Sequence, residues 1–156
     1  MSLADAISND SEVQVLAFRL GREEYGVEVS RVQEIERREE ATRLPQMPHF
    51  VEGIINWRNR TVPVVDLHGK LGVRGDARSE YMVVVDVDGL YVALLVDTVP
   101  EVLSLSNEII DPPPQTSVGD ASEYISGVGK LENRLVILLQ VENLFSSRER
   151  EAMQAA

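Results

Sequence analysis

The chain contains no cysteine, which removes disulfides and thiolate chemistry from consideration. It has no long hydrophobic run: stretches such as Val136–Leu139 fall far short of the ~20 residues that cross a bilayer. The first 20 residues include Asp5, Asp10 and Glu12 and lack the basic start and apolar run of a secretory signal. Positive charge is scarce, with 15 Lys and Arg against 26 Asp and Glu and a formal net charge of -11. Such a surface repels phosphate backbones and anionic lipids. Arg37 and Arg38 sit among Glu34, Glu36, Glu39 and Glu40, a mixed run that reads as a solvated face. The expectation is a soluble cytoplasmic protein with no nucleic-acid partner and no direct membrane insertion.

The parts of an active site are also missing. The two histidines, His49 and His68, have no ligand spacing and no cysteine companions, so both are expected on loops or at the surface. Asp66, Asp86, Asp88 and Asp97 fall near expected strand ends, where acid, base or metal-ligating groups often sit. Turn-forming and solubilising roles explain them more simply. No G-x-S-x-G elbow is present. Gly127–Val128–Gly129–Lys130 looks like the close of a phosphate loop but lacks the preceding glycine and the following Ser or Thr. No enzymatic activity, cofactor or metal site is expected. An enzyme built on a β scaffold stays open only if two acids prove to share a pocket.

What the chain does have is a repeat. FVEGIINWRNRTVPVVDL at 50–67 aligns without a gap on YISGVGKLENRLVILLQV at 124–141, an offset of 74. Phe50 matches Tyr124, Gly53 matches Gly127, Asn59 matches Asn133 and Arg60 matches Arg134. Upstream the duplication continues at an offset of 67: Phe18 with Val85, Tyr25 with Val92, Glu34 with Glu101 and Ile35 with Val102. The second copy therefore carries seven extra residues between 103 and 123, where Pro112–Pro114 read as a stiff extended loop. Each copy must bury one face against something else.

Within a copy the apolar period is two. Val13, Val15 and Ala17, then Tyr25, Val27 and Val29, read as paired strands, and 53–66 as a hairpin with Asn59 in a left-handed turn position. Pro63 can pair on one side only. Ser30–Arg38 is allowed a short helix with Val32 and Ile35 covering core and Gln33 and Glu34 outward. Leu67–Leu71 reads as a short helix or turn ending at Gly72. Tyr81–Val87 and Leu90–Val96 are dense enough in valine and leucine to be buried on both faces. The order is β-β-link-β-β, twice, satisfied by two small barrels or by two halves of a sandwich.

Candidate binding residues emerge where the copies differ. Trp57, the only tryptophan, matches Leu131, and Arg58 matches Glu132. Trp57 is either core, like its counterpart, or part of a binding patch with Arg58. The charge reversal makes one hairpin tip basic and the other acidic, and a basic tip on an acidic surface suits a partner carboxylate.

With these residues the sequence resembles the CheW family of chemotaxis coupling proteins over about residues 13–147. The resemblance rests on FRLGREEYGVEVSRVQEI at 18–35, FVEGIINWRNRTVPVVDL at 50–67, VALLVDTVPEVLSL at 92–105 and YISGVGKLENRLVILLQVENL at 124–144. It implies an all-β fold of two packed five-stranded SH3-like barrels, with short connecting helices and a C-terminal helix. The implied organisation is a disordered tail at 1–12, a single domain at 13–147 and a frayed tail at 148–156. Repeat units are placed at about 13–72 and 80–146, with strand exchange between them left open. The resemblance implies a non-enzymatic adaptor, without a cofactor, that joins the cytoplasmic tips of methyl-accepting chemoreceptors to the regulatory domain of a CheA-type histidine kinase. Receptor contacts are implied at Val32, Glu34, Asn56, Trp57 and Arg58, while kinase contacts are not assigned to residues. Family members commonly carry Asn-Leu-Arg-Gly where this chain has Asn56–Trp57–Arg58–Asn59. The alternative is a coupling protein of the same family serving a non-flagellar motility or developmental pathway.

Overall fold

The computed structural model describes residues 12–73, 79–98, 100–113 and 121–154. Of the tail expected at 1–12, only Glu12 falls among them, and of the stretch 103–123 expected to hold the insertion, residues 114–120 lie outside. Among the described residues eleven strands form. The first hairpin is β1 (Glu12–Leu20) and β2 (Glu23–Glu28), followed by β3 (Val32–Arg37), β4 (Val51–Trp57) and β5 (Arg60–Asp66). A short helix α1 (Leu67–Leu71) links these to β6 (Tyr81–Val87) and β7 (Leu90–Val96). The chain continues through β8 (Glu101–Ser106), β9 (Ile110–Asp111), helix α2 (Ala121–Tyr124), β10 (Ile125–Leu131), β11 (Arg134–Leu139) and helix α3 (Ser147–Gln154).

Local chemistry sets several of these boundaries. Arg58 and Asn59 both take positive φ, 50° and 61°, as a two-residue primed turn between twisted strands requires. The Asp66 carboxylate caps α1 by accepting from the His68 backbone N–H, and Gly72 at φ 69° ends it. Pro63 faces Ile54 of β4, and the parallel ladder to β7 begins only at Val64, so its missing N–H is not needed there.

The expected helix near Ser30 does not form. A single 3-10 turn at Val29–Arg31 runs directly into the extended β3. Period two then separates Val32 from Ile35: Val32, Glu34 and Glu36 turn inward, while Gln33, Ile35 and Arg37 face solvent. Ile35 is 42 % exposed instead of covering core.

The strands form two sheets, one ordered β8-β1-β2-β11-β10-β9 and the other β3-β6-β7-β5-β4. Each sheet combines the first hairpin of one copy with the later strands of the other. The registers repeat along with the sequence. Val64 lies opposite Ala93 in the parallel β5–β7 pair, and its counterpart Leu138 lies opposite Gly26 in the parallel β11–β2 pair. Glu34 faces Val84 while Glu101 faces Ala17.

The first sheet has six strands, not the expected five, because β9 adds to the edge of β10. A glycine makes room for it: a Cβ on Gly127 would lie 2.8 Å from the Asp111 carbonyl oxygen. In the first copy the corresponding segment makes only an isolated bridge between Thr42 and Ile54, against Gly53.

Three apolar clusters follow from alternation along the strands. One face of β6 and β7 (Val83, Val85, Val87, Val92, Leu94, Val96) joins Leu16, Phe18, Leu20 and Val65 in a seam between the sheets. The other face (Met82, Val84, Ala93, Leu95) packs inside the five-stranded sheet with Ile55, Trp57, Val62 and Val64. Val15, Leu105, Val136 and Leu138 form the smaller interior of the six-stranded sheet. The C-terminal tail, expected to fray from 148, is instead helical to Gln154. Met153 anchors it in the seam at 2 % exposure, and the Lys70 ammonium lies 3.0 Å from Glu149.

Candidate docking site at the Glu34 edge

β3 and β4 are the two ends of the five-stranded order, yet side chains join them. The Trp57 indole Nε1 donates to Glu34 Oε2 at 2.5 Å, and Arg58 donates to Glu34 Oε1 at 3.1 Å. Further along, Arg38 reaches Glu52 Oε2 at 2.6 Å. Trp57 is core, 5 % exposed, and lies beside Tyr91 with ring centroids 5.5 Å apart. The Arg58 guanidinium stacks over the indole at 4.5 Å, and Arg60 covers Tyr91 at 4.7 Å. The resulting cation–ring–ring–cation row holds one carboxylate at the sheet edge.

The electrostatics follow from these contacts. The hydrogen bond from Trp57, then those from Arg58 and Glu36 and the Arg58 charge, hold the Glu34 carboxyl below the usual glutamate range against some desolvation. Its strand neighbour Glu36 moves the other way: burial, then the hydrogen bond and charge of Glu34, push it up. Glu34 is therefore the more acidic of the two carboxyls.

Of the residues picked out by sequence, Glu34, Trp57 and Arg58 come together directly. Val32 is half-buried on the same strand and packs against the seam cluster. Asn56 alternates away from Trp57 and is exposed, in an open cleft with Thr42, Asn59 and Thr61. Tyr91, Arg60 and Glu36 also belong to this site, although the sequence marked none of them as a binding residue. Their only signal was register: Arg60 faces Trp57 across the hairpin, and Glu36 lies two residues from Glu34 on the same face.

The other polar candidates sort differently. His49 is exposed. His68 is not at the surface: its side chain is 14 % exposed and Nε2 lies 2.9 Å from Asp97 Oδ1. Asp97 is no solubilising turn residue either, since it also accepts from the Gly21 N–H at 2.7 Å and the Ser79 hydroxyl at 2.8 Å. Asp86 does serve its turn, accepting from the Gly89 N–H at 2.7 Å. Among the described residues no group of three or more His, Cys, Asp or Glu could hold a metal ion. None of the described helices is long and apolar enough to cross a membrane.

The model of the CheW-like domain matches residues 14–149. The chain belongs to the CheW family. It is 40% identical over 138 residues to the chemotaxis protein CheW of Klebsiella aerogenes, covering 87% of this chain and 83% of that protein. It is 34% identical over 154 residues to a probable chemotaxis protein CheW of Rhizobium etli, covering 97% and 99%. The crystal structure of the scaffolding protein TtCheW from Thermoanaerobacter tengcongensis superimposes with a TM-score of 0.78 at 30% identity, covering 88% of this chain and 94% of that one. As a CheW-type protein the chain is a non-catalytic adaptor of chemotaxis signalling, linking chemoreceptors to the CheA kinase.

Proposed function

We propose that this adaptor receives the helical cytoplasmic tip of a methyl-accepting chemoreceptor at the Glu34 edge, with Val32, Glu34, Asn56 and Arg58 around the contact and Trp57 beneath it. The observation that carries the reading is the placement of Arg58. Its side chain is 60% exposed, on a surface of net charge -11, yet it is held by Glu34 and by the indole face. A fixed cation in an acidic surround is suited to receive a partner carboxylate, and Val32 supplies apolar surface toward the seam. In this reading the regulatory domain of the CheA-type kinase binds elsewhere on the chain. The protein is cytoplasmic and recruited to membrane-associated receptor arrays, and each sheet curls into an SH3-like barrel. The side-chain links between β3 and β4 support that closure for the five-stranded sheet.

The test is calorimetry of Arg58→Glu against a receptor-tip fragment, with circular dichroism to show that the variant is folded. Affinity should fall by about tenfold or more, as for an anchoring interfacial arginine. Affinity equal to the unmodified chain would remove the site. A parallel pull-down with the kinase regulatory domain should be unaffected by the same substitution.

A further inference from the structure

Residue 57 is where the duplicated hairpins carry different chemistry on matching backbones, tryptophan in the first and leucine, Leu131, in the second. The two copies provide an internal comparison, because Glu34 and Glu101 share one register. Glu34 has both oxygens engaged, one by the indole N–H and one by Arg58. Leucine offers Glu101 no such donor. Glu101 instead shares Arg134 with Glu24 and stands 58% exposed, against 31% for Glu34.

With one acceptor site used on each oxygen and its charge offset by Arg58, the Glu34 carboxylate has less to offer an incoming cation. A guanidinium has five N–H donors, and Arg58 directs one terminal nitrogen to Glu34 while stacking on the ring. The indole thus settles which charge of the pair faces outward. Trp57 is too deeply buried to read the partner itself.

We propose that Trp57 is a specificity-determining positioning residue: by tying down Glu34 through its N–H and Arg58 through its ring face, it makes Arg58 the recognition group and selects a receptor helix presenting a carboxylate over one presenting a cation. The proposal rests on the docking reading above and names the charge its partner must offer.

Trp57→Phe keeps an aromatic ring for packing and stacking but removes the donor. The probe is a receptor-tip helical fragment and a version of it with its acidic side chains in the contact turned to lysine, both titrated by calorimetry. The unmodified chain should prefer the acidic fragment strongly. Trp57→Phe should bind the acidic fragment about tenfold more weakly, and its preference ratio should shrink by more than that because Glu34 is released, in line with the loss of one hydrogen bond to a charged group. Because the chain has one tryptophan, its fluorescence gives a receptor-independent readout. The emission should change as Glu34 is protonated, at a pH below the usual glutamate range, and Glu34→Gln should abolish that transition. An unchanged preference ratio in Trp57→Phe, while Arg58→Glu still weakens binding, overturns the proposal and leaves the docking site standing. Loss of effect in Arg58→Glu as well overturns both. A fluorescence transition that persists in Glu34→Gln removes the Trp57–Glu34 link on its own.

Discussion

At the scale of single residues, the matched glycines Gly53 and Gly127 show why a repeat retains particular side chains. Each sits at a register shift in its hairpin, where another backbone segment lies across it. A Cβ on Gly53 would stand 2.3 Å from the Thr42 carbonyl oxygen, and φ there is 154°; on Gly127 it would stand 2.8 Å from that of Asp111. Backbone cannot step aside as a flexible side chain can. Gly53→Ala should therefore destabilise by about 3 kcal/mol, and Gly127→Ala by less, read as shifts in the urea midpoint. The repeat made both glycines visible in the sequence, but what they accommodate lies 11 and 16 residues away along the chain. Trp57 was legible in the same partial way. Its mismatch with Leu131 marked it, whereas its bond to Glu34 required knowing that β3 is a strand. A helical reading of that segment turned Glu34 outward and Ile35 inward, and one change of period reversed both.

At the scale of elements, the C-terminal helix was expected, but its anchoring as far as Gln154 was the part that composition concealed. Half of Ser147–Gln154 is charged, which suggested fraying, and Met153 is its one large apolar residue. Two local devices hold it. Ser146 and Glu149 form a reciprocal capping box: the Ser146 N–H donates to Glu149 at 2.8 Å, and the Glu149 N–H donates to the Ser146 hydroxyl at 3.1 Å. Arg150 donates to the Glu142 carbonyl, and Lys70 bridges from α1 to Glu149 while lying 5.0 Å from the Phe50 ring centroid. The S-x-x-E spacing was present in the sequence and would have flagged the helix start. Met153→Ala should cost about 2–4 kcal/mol, because the seam cannot collapse fully around the space left. Ser146→Ala should cost about 1 kcal/mol. Thermal melts of the two variants should rank in that order; equal melts would mean the helix is held by its charges alone.

At the scale of the whole molecule, the duplication was plain in the sequence and the exchange of strands between copies was not. Both arrangements bury the same alternating valines, so hydrophobic pattern cannot distinguish them. Exchange leaves the two sheets joined by covalent crossings and by a polar clamp at their junction. Gly21, in the β1–β2 turn, donates to Asp97 at the end of β7; the Asp97 N–H returns to the Arg19 carbonyl at 3.0 Å; His68 of α1 and Ser79 complete the ring. Burial opposes charge on His68, but the Asp97 hydrogen bond and charge, the Val73 carbonyl and Asp66 outweigh it and raise its pKa above 6.5. Burial likewise opposes the Asp97 anion, and the donors from Gly21, His68 and Ser79 outweigh it and lower its pKa below 3.8. The signs then fix a window. The raised His68 value gives stability that is complete below its unfolded pKa and is lost as pH rises through the folded value. The lowered Asp97 value gives stability that is present above its unfolded pKa and is lost as pH falls through the folded one. Both contributions are complete together between the two unfolded values, from about pH 4 to about pH 6.5, and each is lost only as pH passes its folded value beyond that range. Melting temperature should therefore fall as pH is raised from about 6 to 9, and the fall should be smaller in His68→Gln, whose side chain cannot carry the charge. The wild-type minus variant difference is the quantity to measure, since it cancels the titration of groups remote from the junction. A difference that stays constant across that pH range would mean His68 is held neutral and the sheets are joined by the Asp97–Gly21 and Asp97–Ser79 hydrogen bonds without it.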